Sequence, residues 1–151
     1  RPFEDVDEMN AEMIKRWNAK VQPHDTVYHL GDVTFGGSDK NRILHELNGF
    51  KKLIPGNHDN VREMANYFDI EDRLVNLNLG PHRIVLCHYP IESWQNAFHG
   101  WYHFHGHTHG HTKGFNSKKD HRVDVGVDVH NFEPMSYDEI LDFITMKLMH
   151  E

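Results

Sequence analysis

Four times along this chain a short apolar run ends, with no linker, in residues that bind metals or phosphate. TVYHL runs into Gly31-Asp32, LIP into Gly56-Asn57-His58-Asp59, IVLC into His88, and HFH into Gly106-His107-Thr108-His109. Short runs of this kind, bounded by glycine, read as buried strands. In open α/β sheets, ligands collect just beyond the carboxyl ends of strands. Four such tips can share one crevice only if their strands lie side by side, so the pattern constrains topology as well as chemistry.

The remaining segments supply partners for those strands. Asp5 followed by Glu8 has the form of a helix capping box, and Val6, Met9, Met13, Ile14 and Trp17 recur at helical spacing, which predicts a helix over 6–20. Strands are predicted at 26–30 and 51–54, with helices at 38–47 and 61–67. Leu74, Val75, Leu77 and Leu79 form a strand that turns at Gly80-Pro81 into a second one over 83–87. A further strand covers 102–105. Val123, Val125, Val127 and Val129 alternate strictly and predict another. Ser136 with Glu139 caps a closing helix that carries Ile140, Leu141, Ile144 and Leu148. Helices and strands alternate first and strands dominate later, so the expected fold is an α/β sandwich of two mixed sheets flanked by helices, in one domain over 1–151.

Composition excludes several classes. Formal net charge is −7, and no run of Lys or Arg exceeds two residues, as at Lys118 and Lys119, so no long nucleic acid is an expected partner. No apolar run approaches the roughly 20 residues that span a bilayer, so no membrane is expected. Cys87 is the one cysteine and cannot form an internal disulfide, so a cytoplasmic location is expected. Cys87 lies within an apolar strand and reads as packing.

Carboxylate, amide and imidazole groups at four strand tips suit divalent manganese, iron or zinc rather than a thiolate site. Singly, each segment has a plainer reading: Gly-Asp as a turn, Gly-Asn-His-Asp as an Asx turn capping a helix, His88 as a core histidine. Two histidines two apart after a strand are harder to dismiss, and the four segments in this order make coincidence a poor account.

The order GD, GNHD, H, GHTH resembles the calcineurin-like metallophosphoesterase superfamily. The stretches 25–32 and 86–94 and the close Gly126-Val127-Asp128-Val129 look most like its small bacterial and phage-type members. The resemblance covers residues 1 to 144. It implies a metallophosphoesterase-type sandwich and a hydrolase of small phosphomonoesters or phosphodiesters. It also implies two divalent metal ions, roughly 3.5–4 Å apart, with metal-bound hydroxide attacking phosphorus. Asp32 would bridge both metals. Asn57, His88 and His107 would complete one site, and His109 would belong to the other. His58 would face the substrate and protonate the leaving oxygen, while Asp59 would hold its loop.

The chain departs from this pattern in two places. Family members carry Asp-x-His on a first strand, and residues 1–31 contain none. One metal set therefore keeps only Asp32 and His109, and the chain as written should bind one metal much better than two. The Arg1-Pro2 start leads us to expect a truncated or cleaved chain. The one Asp-x-His present, Asp128 to His130, reads as a surface turn rather than a permuted site. Phe35 stands where some members pair an acidic residue with the catalytic histidine. The alternative function is a catalytically impaired scaffold binding a protein partner. Trp94, Trp101 and Tyr102 are candidates to wall the site, and Arg62 to touch phosphate.

Overall fold

The computed structural model describes residues 5–33, 40–109, 121–127 and 132–149, with residues 147–149 described by their main chain alone. Within them lie two β-sheets and four α-helices. The first helix, α1 (Val6–Lys20), starts where Asp5, in extended conformation, accepts the Glu8 N–H at 2.7 Å, as an N-cap does. Its Trp17 is buried, with Met13 and Ile14 packed alongside, in a core shared with Ile43 and Leu44 of α2 (Lys40–Glu46).

The first sheet has the order β1 (Thr26–His29), β2 (Phe50–Leu53), β3 (Asp69–Ile70), and all its pairings are parallel. The second runs β4 (Leu74–Leu79), β5 (His82–Cys87), β6 (Tyr102–His105), β7 (Arg122–Asp124). Its β4–β5 pair is antiparallel about the Gly80-Pro81 turn, and the β5–β6 and β6–β7 pairs are parallel. The expectation of two mixed sheets is thus corrected: the second sheet alone is mixed. α2 and the short α3 (Val61–Met64) fall between the strands of the first sheet, and such crossovers are what parallel neighbours require.

Side chains on the first sheet alternate between two cores. Val27 and Leu53 face the helical core with Trp17 and Leu44. Tyr28, Leu30 and Ile54 join Ile84, Leu86, Phe104 and Val123 of the second sheet. Ile140 and Ile144 of α4 (Tyr137–Met149) close that second core. The Ser136–Glu139 capping box forms reciprocally at 3.1 and 3.2 Å.

Four predicted elements come out shorter, β1 ending at His29 rather than at 30 and α2 at Glu46 rather than at 47. The alternating valine strand stops at Asp124, because the Asp124 carboxylate takes the Gly126 N–H at 2.9 Å and turns the chain; Val129 lies outside the described residues. α3 ends at Met64 rather than at 67, with Tyr67 and Phe68 N–H groups both directed to the Met64 carbonyl. α2 is described from Lys40, and 38–39 lie outside the described residues. The two-residue β3 and a 3-10 turn at Ala97–His99 were not predicted. No helix among the described residues is long and apolar enough to cross a membrane.

Candidate metal centre

The carboxyl ends of β1, β2, β5 and β6 converge. One ligand atom each from Asp32, His88 and His107 lies within 4.8 Å of the other two. His88 is the hub. It is 1% exposed, and its Nδ1 lies 2.7 Å from the Leu30 carbonyl oxygen. A carbonyl only accepts, so Nδ1 carries the hydrogen and Nε2 is the ring atom turned to the group. Around Nε2 stand Asn57 Oδ1 at 3.1 Å, His107 Nδ1 at 3.0 Å and Asp32 Oδ2 at 3.3 Å. Amide oxygen, carboxylate oxygen and two imidazole nitrogens thus face one small space, where a cation could take all four as ligands. That donor set suits a borderline divalent ion, so the residues fit a metal.

The backbone is shaped to the same end. Asp32, His107 and His109 adopt positive φ of 54°, 66° and 49°, each costing roughly 1–3 kcal/mol for a residue with a side chain. Gly31, at φ +96°, abuts Gly56: a Cβ there would stand 2.5 Å from the Gly56 nitrogen and 2.7 Å from His88 Nδ1. Gly56 in turn leaves no room for a Cβ against the Asp32 carboxylate. The glycines at the strand tips therefore let two loops close onto the ligands.

Asp59 holds these loops together. Its carboxylate accepts the N–H groups of Asp32, Val33 and Gly56 at 2.7–2.8 Å. The His58 N–H donates to Asp32 Oδ1 at 2.9 Å, with His58 itself exposed. His29, which sequence reasoning passed over, accepts the Gly31 N–H on Nδ1 at 3.2 Å. At the β6 end, buried His105 bonds the Gly106 carbonyl at 2.9 Å, and Thr108 bonds Asp124 at 3.0 Å. Alternation along the strand was the available signal for His105, and it does not separate a buried histidine from an exposed one.

Not every candidate joins the group. His109 lies outside the Asp32–His88–His107 cluster, although it lines the same cavity of about 640 Å³ as those three. Asp128, His130 and Phe35 lie outside the described residues. Tyr102 packs in the second core rather than at the ligands. Trp94 donates its indole N–H to the Trp101 carbonyl at 3.0 Å and its ring lies against His103.

His103 is fully buried beneath the site. Its Nδ1 bonds the Val85 carbonyl at 2.9 Å and its Nε2 accepts the Ile91 N–H at 3.0 Å. Burial away from water lowers its pKa from 6.5 to about 4, with His105 and Arg122 nearby adding to the shift. The unfolded chain takes up this proton near pH 6.5 and the folded one only near 4, so protons favour unfolding between those values. Acidification from pH 7 to 4 should therefore cost on the order of 3 kcal/mol through this ring. Urea midpoints at both pH values check the loss, and an NMR titration assigns it. A His103 midpoint near 6.5 would overturn the assignment.

No family model matches the chain. It is 35% identical over 150 residues to MJ1445, an uncharacterized protein of Methanocaldococcus jannaschii, a match taking in 95% of this chain and 80% of that one. A 66-residue stretch, 40% of this chain and 31% of the other, is 39% identical to the gene 66 protein of Mycobacterium phage L5. A crystal structure of AQ665, a protein of unknown function from Aquifex aeolicus, superposes with a TM-score of 0.75 at 29% identity, covering 94% of this chain and 87% of that chain.

Proposed function

The chain belongs to the same family as the uncharacterized protein MJ1445, and we propose that it is a metal-dependent phosphoesterase of the calcineurin-like type, acting on small phosphomonoesters or phosphodiesters. The observation that carries this reading is the set of ligand-type oxygen and nitrogen atoms around His88 Nε2, built at strand tips from Asp32, Asn57 and His107. These four residues would hold one ion, and His109 would serve a second. A divalent metal in such a site supplies Lewis acidity to water and to phosphoryl oxygen. The chain's own part is to hold Asp32 through Asp59 and the His58 N–H, to fix the His88 tautomer through Leu30, and to place the His58 ring at the exposed face for proton delivery to the leaving oxygen.

The finer fold reading belongs to the same proposal. β1 is an edge strand among the described residues. The carbonyls of Asp25 and His29 turn toward β2, so the alternate groups of Tyr28 face the other way. The 640 Å³ cavity lines that side, walled by Tyr28, Leu86 and Phe104 and ending at Asp32 and His109. A first strand bearing Asp-x-His, as the resemblance implies, would fit there.

The deciding experiment is metal analysis with an assay of p-nitrophenyl phosphate and its diester. We expect hydrolysis that needs manganese, iron or zinc, ceases with a chelator and returns with the ion. A protein that takes up no metal at neutral pH, or hydrolyses equally with chelator present, is not this enzyme. Tight metal uptake without hydrolysis would instead favour the scaffold reading, to which the position of His109 outside the cluster lends some weight.

A further inference from the structure

The open side of the metal group carries an aromatic surface. Tyr89 follows the hub ligand directly. Its ring meets those of His88 and His107 edge-on, at centroid distances of 4.9 and 4.8 Å. It is nonetheless 40% exposed. His107 is exposed as well, so the tyrosine stands at a face of the site that solvent reaches.

The turn that carries Tyr89 is held rigidly. Pro90 restricts the backbone after it. Both main-chain groups of Ile91 are bonded by buried side chains: its N–H by His103 at 3.0 Å and its carbonyl by Arg122 at 2.8 Å. His103 is 0% and Arg122 8% exposed. The Trp94 ring backs His103 at 5.3 Å. An aromatic surface fixed in place before binding loses little entropy when a ligand stacks on it.

Resting on the metal–phosphate reading, we propose that Tyr89 is a stacking platform and that the site prefers phosphate esters bearing a planar aromatic group such as a nucleobase. The phosphate lies at Asp32, His88 and His107, and the ring attached to it reaches the tyrosine beside those same imidazoles. The net charge of −7 favours a mononucleotide over a polymer.

The test is calorimetric binding of AMP and of ribose 5-phosphate, each as its non-hydrolysable methylene phosphonate, to the manganese-loaded protein, for the natural sequence, Tyr89→Phe and Tyr89→Leu. AMP should bind about tenfold more tightly than ribose 5-phosphate, Tyr89→Phe should keep that ratio, and Tyr89→Leu should bring it within about twofold of unity. The ratio is the readout, so any loosening of the metal ligands in Tyr89→Leu, which weakens both ligands alike, cancels. A ratio near unity in the natural protein, or one unchanged in Tyr89→Leu, overturns the platform. If that protein still hydrolyses p-nitrophenyl phosphate, the phosphoesterase reading survives alone. Binding of neither ligand overturns the platform, and the phosphoesterase reading then stands or falls with hydrolysis of p-nitrophenyl phosphate and its diester.

Discussion

Replacing His58 with alanine is expected to lower turnover of an alkyl phosphate by about 10²–10⁴-fold, the usual yield of a positioned general acid. Metal content should stay near that of the natural protein. The contact His58 makes with the metal group is through its main-chain N–H, which bonds Asp32 Oδ1 at 2.9 Å, and alanine retains that N–H. The loss should shrink on p-nitrophenyl phosphate, whose leaving group departs without a proton. Steady-state kinetics on both substrates, beside metal analysis, reads the role. Equal activity on the alkyl ester would remove His58 from the mechanism.

The second large effect concerns the glycine at the tip of β1. Gly31→Ala should cost about 1–3 kcal/mol from overpacking, with a further strain of similar size from its positive φ. Its Cβ would strike the Gly56 main chain and His88 Nδ1, and His88 would leave the Leu30 carbonyl that fixes its tautomer. Manganese affinity should fall with stability. Gly80→Ala is the control: its φ is also positive, at +55°, yet nothing lies within 4 Å of the added carbon. A denaturation midpoint and a manganese titration for each variant separate collision from strain. Natural metal affinity in Gly31→Ala would show that the two loops need not touch.

Much of the scaffold was legible because its signals are local. The Val6–Lys20 helix declares itself by a capping aspartate and a stripe ending at Trp17. The tips of β1, β2, β5 and β6 declare themselves by apolar runs that stop at glycine or histidine. Distant contacts were not legible. The valine alternation past Asp124 looked like strand, but that carboxylate bonds its own backbone, a choice made by one side chain and invisible to periodicity. β3 has two residues, too few to show a period. His103, His105 and His107 stand in one motif, yet the first bonds Val85 and Ile91, the second Gly106, and only the third joins the ligand group. Tyr89 gave one signal, its place beside His88, and in the sequence that place reads as part of the strand end.

The parallel ladder between β1 and β2 has a consequence in time. Thr26 pairs with Phe50 and His29 with Leu53, so the ladder sets how far Asp32 stands from Asn57. A slip of one residue would move one tip past the other by about 3.3 Å and turn Tyr28 and Leu30 to the wrong core. Such pairings join residues far apart in the chain and form slowly during folding. A chelating group assembled from residues as distant as Asp32 and His107 exists only once both sheets have found their register. Metal capture by the refolding protein should therefore trail helix formation and coincide with the last step to the native state.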